Sequence, residues 1–160
     1  LIFDNSDVSD LSELENLEDI EGDLSFKGNH ELTDFTGLSS LYKIGGGLLI
    51  NQNNKIESIA GLEKITSIAG RLYVGYSGML KNLDGLSNLT SLGSGIFIGA
   101  NSSLENINGL KGLTLINSYV LLRNNNKLLD LNGFSNVEEI KSYLQIQSNS
   151  GIETFIGCWR

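Results

Sequence analysis

The sequence is poor in the residues that form covalent cross-links and metal sites. It has one cysteine, one histidine, one methionine and one tryptophan, and it has no proline. A single cysteine, Cys158, excludes a disulfide within the chain. The only histidine, His30, has no second histidine or cysteine nearby, so we expect a solvated loop side chain and no metal site. No run of 18 or more apolar residues occurs, so insertion into a membrane is not expected.

Lysine and arginine are also scarce. The chain has 11 of them against 19 aspartates and glutamates, which gives a net charge of −8. Nucleic acids and anionic membranes bind cationic surfaces, so this charge argues against both as partners. The glycines Gly45–Gly47 precede a strand-like segment, whereas a phosphate-binding loop opens a helix. With no nucleophile motif and no converging pair of carboxylates, the sequence predicts neither an enzyme nor a bound cofactor.

What the sequence does contain is a repeat of constant length, without insertion or deletion. The apolar residues that open successive units are evenly spaced, at Ile20, Ile44, Ile68, Leu92, Ile116 and Ile140. The full coils are 20–43, 44–67, 68–91, 92–115 and 116–139, and the partial coils are 1–19 and 140–160. A period of this length is typical of one coil of a solenoid, so we expect a single domain over 1–160. Because the chain starts in a strand-like segment without an initiating methionine, we also expect a processed or trimmed chain.

Each coil contains one segment in which apolar and polar positions alternate, as in Leu48-Leu49-Ile50. This alternation predicts one half-buried strand per coil, and stacked coils would pair these strands about 4.8 Å apart in a parallel sheet. The rest of the coil has apolar residues at every third position. We expect two further short edges there, part extended and part 3₁₀-like, which close a roughly triangular coil.

A polar column interrupts this apolar pattern after each strand. Its members are asparagines apart from Ser77: Asn5, Asn29, Asn53, Asn101, Asn125 and Asn149. An amide has donors and an acceptor, so a stacked column of asparagines can satisfy itself by bonding to neighbouring coils. We interpret it as a structural ladder in which Ser77 is a weak point or a water site. Metal or glycan binding by the same column is the alternative.

The unit Ile-x-Gly-x-Leu-x-Ile-x-x-Asn-x-x-Leu-x-x-Leu-x-Gly-Leu-x-x-Leu-x-x-Ile resembles the leucine-rich receptor L domain of insulin- and epidermal-growth-factor-type receptors. It is also similar to cell-surface proteins of fungi and microbes. The predicted fold is therefore all-β, a right-handed parallel β-solenoid with one main-sheet strand per coil. The resemblance implies an extracellular or cell-surface recognition module, although the chain lacks the paired cysteines that end receptor L domains.

The outward side of the main sheet is the candidate binding surface. The residue between the two buried positions of each strand should point to solvent, and it is large and apolar in four consecutive coils. The candidate residues are Leu49, Tyr73, Phe97 and Leu121, extended by Tyr119 and Tyr143 and flanked by Arg71 and Arg123. An apolar, aromatic centre with a polar rim is typical of a contact surface for a protein or a glycan. Cover by another part of the same polypeptide is the alternative.

Two other features suggest different functions. The apolar C-terminal segment 155–160 predicts an end that something must cover, so self-association into a filament or a surface layer is the second hypothesis. Cys158 takes a leucine position there, and we expect a buried, inert thiol. The outward column Thr66, Thr90 and Thr114 raises ice or crystal-surface binding as a minor alternative, although the strand preference of threonine explains it better.

Overall fold

A computed structural model describes residues 1–5 and 8–152, and these form a stack of parallel strands. The seven strands of the main sheet are Ile2–Asp4, Leu24–Lys27, Leu48–Asn51, Leu72–Gly75, Ile96–Gly99, Val120–Arg123 and Leu144–Gln147. Each strand pairs with the strand of the next coil, so the order in the sheet is the order in the chain. The predicted all-β parallel solenoid is confirmed. Cys158 and segment 155–160 lie outside the described residues.

A second edge of each coil contains a strand of only two residues. These strands are Asp19–Ile20, Lys43–Ile44, Ser67–Ile68 and Ser91–Leu92 in a four-stranded sheet, and Leu115–Ile116 and Glu139–Ile140 in a two-stranded sheet. The short elements end in apolar residues that point into the stack, and Ile44, Ile68 and Ile116 are fully buried. The apolar residues that open the repeats therefore build the second wall of the core.

The third edge contains 3₁₀ turns, as the period-three spacing predicts. They are Ser12–Leu14, Thr36–Leu38, Asp84–Leu86, Asn108–Leu110 and Asn132–Phe134. Coil 44–67 differs, because no 3₁₀ turn is formed there and Gly61 has φ 103°. The Gly61 N–H donates to the Glu63 carboxylate at 2.8 Å. No helical element among the described residues is long and apolar enough to cross a membrane.

The spacing between main-sheet strands equals the repeat length in every coil but the first. Phe26 pairs with Ile50, one full repeat further along the chain, whereas Phe3 pairs with Phe26 and so lies one position too close. Asn5 therefore takes the position of Gly28, and its φ of 51° matches the left-handed conformation of Gly28 at 68°. The assignment of Asn5 to the asparagine column is wrong, because the first coil is one residue shorter than the others.

The other asparagines of that column are buried and link neighbouring coils. The backbone N–H of Asn29 donates to Oδ1 of Asn53 at 2.9 Å, and Nδ2 of Asn53 donates to the Phe26 carbonyl at 3.0 Å. The same pair of contacts recurs around Asn101, Asn125 and Asn149. Each side chain thus bonds two backbone groups that the strands leave unpaired.

Ser77 keeps one of these two contacts. Its hydroxyl oxygen accepts from the Asn53 N–H at 3.3 Å, and the hydroxyl donates to the Gly75 carbonyl at 3.3 Å. Serine is too short to make the bond to the coil before, so this step of the column is held by fewer and longer hydrogen bonds. Ser77 is fully buried, and both hydrogen bonds of its hydroxyl are made to the protein.

We expect Asn101→Ala to lower the free energy of unfolding by about 1–3 kcal/mol for each of the two buried groups that it leaves unpaired. These groups are the N–H of Ser77 and the carbonyl of Val74, each 3.1 Å from the Asn101 amide. Urea denaturation measures the change. Asn101→Ser should cost less, because serine at position 77 already retains one contact.

The control is Asn126→Ala, because Asn126 is exposed and should tolerate the change with nearly unaltered stability. An Asn101→Ala protein as stable as this control would show that the asparagine column does not hold the coils together.

Candidate binding surface

The candidate surface lies on the outer side of the main sheet, and its central row runs across four strands. Leu49 pairs with Tyr73, Tyr73 with Phe97, and Phe97 with Leu121. We use the name outer face for this row together with Arg71, Tyr119, Tyr143 and Arg123. Leu49, Tyr73 and Leu121 are half-buried, but only 6% of Phe97 is exposed. The expectation that Phe97 projects into solvent is therefore wrong, although it does lie on the outer side.

Phe97 is covered because the side chains on this face lie flat. The Tyr73 and Phe97 rings stack with centroids 4.4 Å apart and planes within 12°. Gly75 and Gly99 leave room for them, since a Cβ at Gly99 would lie 2.6 Å from Cζ of Phe97 and a Cβ at Gly75 would lie 3.0 Å from Cε1 of Tyr73. Two glycines one coil apart thus let two aromatic rings rest on the sheet.

A second aromatic stack lies beside the first. Tyr119 and Tyr143 directly precede their strands, and their ring centroids are 5.5 Å apart with planes within 15°. Gly95 makes room for the Tyr119 ring, because a Cβ there would lie 2.8 Å from Cδ1 of Tyr119. Tyr143 is 49% exposed, so this stack presents both ring surface and phenol groups to solvent.

Two arginines complete the outer face. The guanidinium of Arg123 lies 5.0 Å from the centroid of the Phe97 ring, and that of Arg71 lies 5.9 Å from the Tyr73 centroid. The ion pairs found among the described residues involve lysines, namely Lys43–Asp19, Lys55–Glu31 and Lys81–Glu57. Within the same part of the chain neither arginine has a carboxylate partner. A protein with net charge −8 therefore presents two unpaired cations beside its aromatic stack.

Burial and charge have opposite effects on Tyr73. Removal from water raises the pKa of its phenol above the ordinary value, the neighbouring Tyr76 raises it further, and the guanidiniums of Arg123 and Arg71 offset part of this. The net direction is upward, so the phenol stays neutral and remains a hydrogen-bond donor at physiological pH.

A small cavity opens at the N-terminal side of the face, next to Arg71. Its volume is about 160 Å³, and its lining includes Ile2, Asp23, Leu49 and Arg71. The cavity is large enough for one side chain and offers both alkyl surface and charges of both signs. Nearby in the sequence, Oδ1 of Asn51 is buried without a hydrogen-bond partner among the described residues.

The other predicted features lie away from this face. The hydroxyls of Thr66 and Thr90 donate to the carbonyls of Tyr42 and Thr66 in the preceding coils, both at 3.3 Å. These two hydroxyls are therefore already hydrogen-bonded to neighbouring coils of the protein. Among the described residues no group of three or more His, Cys, Asp or Glu side chains could hold a metal ion.

Sequence reasoning missed two properties of the surface. It did not detect that the glycines at 75 and 99 provide the space in which the aromatic rings lie, although both occupy the column of Asn51 and Arg123. It also missed a polar groove at the corner of the coil that includes His30. The sequence signal for the space beneath the rings was the pair Gly75 and Gly99, because the neighbouring coils have long side chains at that position.

Comparison with known proteins identifies the repeat. Residues 2–127 and 51–156 match the protein family described as BspA type leucine rich repeat region, in six copies. No curated protein and no solved structure matches the chain. The match confirms the leucine-rich repeat predicted from the sequence, whereas the closer resemblance to receptor L domains stays a prediction. Repeats of this family indicate a protein-interaction module and are typically non-catalytic.

We expect Tyr73→Phe to remove one ionisation step that lies above the ordinary tyrosine pKa in an alkaline titration followed by phenolate absorbance. The raised pKa means that the folded state holds this proton more tightly than the unfolded state, so its contribution to stability is present below about pH 10 and is lost above it. The variant should accordingly lose less stability above about pH 10 than the wild type. If Tyr73→Phe leaves this step in place, the assignment to Tyr73 is wrong.

Proposed function

The chain belongs to the family of BspA type leucine rich repeat regions. On that premise we propose that it is a non-catalytic binding module whose protein partner docks on the outer face. The observation behind the proposal is the flat Tyr73–Phe97 stack with an arginine over each ring. Tyrosine and arginine contribute more than most residues to binding energy at protein interfaces.

The flatness of the face supports this role. Because the residues beneath the rings are glycines, the rings can lie against the sheet. A partner therefore meets side chains that are already ordered. Little conformational entropy remains to be lost when such side chains are covered, and this favours binding. The hydrogen bonds of the strands below fix the spacing of the row.

The charge of the face indicates the partner's chemistry. Arg71 and Arg123 lack carboxylate partners within the described residues, and a guanidinium binds a carboxylate through two parallel hydrogen bonds. We therefore expect a partner with an apolar ridge flanked by acidic side chains. A protein fits this face better than a glycan does, because Leu49 and Leu121 place alkyl groups at both ends of the row, where a glycan would need hydrogen-bonding groups.

We place this module outside the cell or on its surface. The support is the resemblance of the repeat unit to extracellular receptor L domains, together with a family in which surface association in bacteria is common.

Site-specific photo-cross-linking tests the docking face. We expect a benzophenone side chain in place of Tyr143 to capture a specific protein from an extracellular extract. The same side chain in place of Tyr42 should not capture it, since Tyr42 is 43% exposed but lies on another edge of the coil. With the captured partner purified, Tyr73→Ser should raise Kd by roughly 30-fold, as expected for an interface hot spot.

Stability and specificity are checked on the same proteins. Loss of the ring–ring contact should lower the free energy of unfolding by about 0.5–1.5 kcal/mol, in addition to the burial lost from the half-buried Tyr73 ring. Tyr73→Ser should therefore melt at a lower temperature than the wild type but remain folded. Thr90→Ser, an exposed change off the face, should leave Kd unaltered. Equal capture from positions 42 and 143 would contradict a docking site on the outer face.

Self-association is a second candidate function, supported by the exposure of the last described coil. Leu144 and Ile146 are only partly buried, whereas Val120 and Leu122, one coil earlier, are fully buried. Among the described residues, strand Leu144–Gln147 pairs on one side only. A second copy stacked against the unpaired edge of this strand would extend the sheet.

If the chain assembles end to end, light scattering should show an average mass that grows with protein concentration, and Tyr73→Ser should not change this growth. A constant monomer mass over the whole concentration range would exclude self-association.

A further inference from the structure

A second concave site lies at the corner where the chain leaves each main-sheet strand. It is an open groove of about 560 Å³ that extends over successive coils from Asn5 to Ala100. Between these ends its lining includes Gly28, His30, Gln52, Asn54 and Tyr76. We call it the corner groove. It shares no residue with the outer face.

The lining of the corner groove is polar but carries no aspartate, glutamate, lysine or arginine. Four charged side chains close by in the sequence are paired across coils, Lys55 with Glu31 and Lys81 with Glu57, each at 2.6 Å. Asp4 and Lys27 directly precede Asn5 and Gly28 but do not line the groove. In a protein of net charge −8, this groove is thus a neutral strip. A neutral ligand enters it without losing favourable hydration of a charge.

The polar side chains in the groove are available to a ligand. Within the described part of the chain, the side chains of Asn5, Gln52, Asn54 and His30 form no hydrogen bond to the protein. An amide can donate and accept at once, as a sugar hydroxyl does. Tyr76 adds an aromatic ring that is 45% exposed. Amides beside an exposed ring suit a ligand that has both hydroxyl groups and an apolar ring face.

The backbone shows that these side chains are kept against a conformational cost. One residue per coil has a left-handed conformation at this corner, with φ 68° at Gly28, 58° at Gln52, 54° at Tyr76 and 56° at Ala100. Gly28 shows that glycine fits the corner, and glycine adopts this conformation without strain. For a bulky residue such as tyrosine it is a genuine outlier. Asn124 and Ser148, beyond the groove, adopt the same conformation, so the corner as such does not mark a site. Tyr76 is the bulkiest residue in this column, and strained residues concentrate at functional sites, which points to a role for its side chain.

The repeat also sets the spacing of the groove. Equivalent lining residues recur once per coil, about 4.8 Å apart. That step is close to the length of one pyranose ring in an extended, β-linked chain, and it does not suit the helical course of an α-1,4-linked chain. Gly78 and Ala100 keep the groove open, since a Cβ at Gly78 would meet only the Ser102 hydroxyl at 3.3 Å.

We propose that the corner groove binds a neutral, extended oligosaccharide, with about one pyranose ring per coil. Gln52 and Asn54 bind hydroxyl groups, and the Tyr76 ring stacks on the apolar face of one sugar. The site is independent of the protein-docking function, so the chain holds a polysaccharide and a protein on two different faces.

Isothermal titration calorimetry with cellohexaose, xylohexaose and hexa-N-acetylchitohexaose tests the proposal, with maltohexaose and an oligogalacturonate as comparison ligands. We expect saturable binding of at least one of the three extended neutral chains, weaker or no binding of the two comparison ligands, and affinity that rises with chain length until the groove is filled. Gln52→Gly combined with Tyr76→Gly should weaken binding by about tenfold or more. Because glycine relieves the left-handed strain at both positions, the variant should melt at the same temperature as the wild type or higher.

The matched control is Ser148→Gly, which makes the same backbone change in the same column at φ 52°, beyond the groove. It should leave sugar binding intact, as should Tyr73→Ser on the outer face. Failure of all three extended chains to bind, equal binding by the Gln52/Tyr76 double variant, equal loss in Ser148→Gly, or a preference for maltohexaose or the oligogalacturonate would overturn the proposal.

Discussion

Hydrogen bonding between coils is the constraint on which this structure depends. A stack of short strands leaves backbone groups unpaired at every corner, and buried groups of that kind are costly. The asparagine column bonds them, with Asn53 joining the N–H of Asn29 to the carbonyl of Phe26. A coil of a different length would misplace the amide. The constant period of the repeat from Ile20 to Ile140 is therefore a condition for a dry core.

Because of this fixed register, residues that share a position in the repeat form a row across the sheet. Residues one repeat apart lie side by side, so two large side chains in one column are forced into contact. Two aromatic rings in one column can share the space by stacking, as Tyr73 and Phe97 do. Glycines in a neighbouring column leave room for these rings to lie flat on the sheet. The outer face thus has ordered rings because the backbone beneath them is already paired.

The columns explain why so much of the fold could be predicted. Alternation located the strand Leu48–Asn51 and its equivalents, since burial on one side leaves a direct pattern in the sequence. The pattern could not show that Phe97 is covered, because that depends on Gly99 and Arg123 from neighbouring columns. Nor could the apolar pattern place Asn5, because a coil that is one residue shorter shifts its apolar residues by only one position relative to the repeat.

The left-handed conformation at the corner helps to distinguish residues that the scaffold requires from residues that are kept for another reason. Every coil needs a left-handed residue there, and the scaffold alone would favour glycine, as at Gly28. Asparagine at 124 departs least from that preference, because it tolerates this conformation better than most residues. Glutamine at 52 and tyrosine at 76 depart most, and both line the corner groove. The backbone gains nothing from these two side chains, which agrees with the ligand-binding role proposed for them.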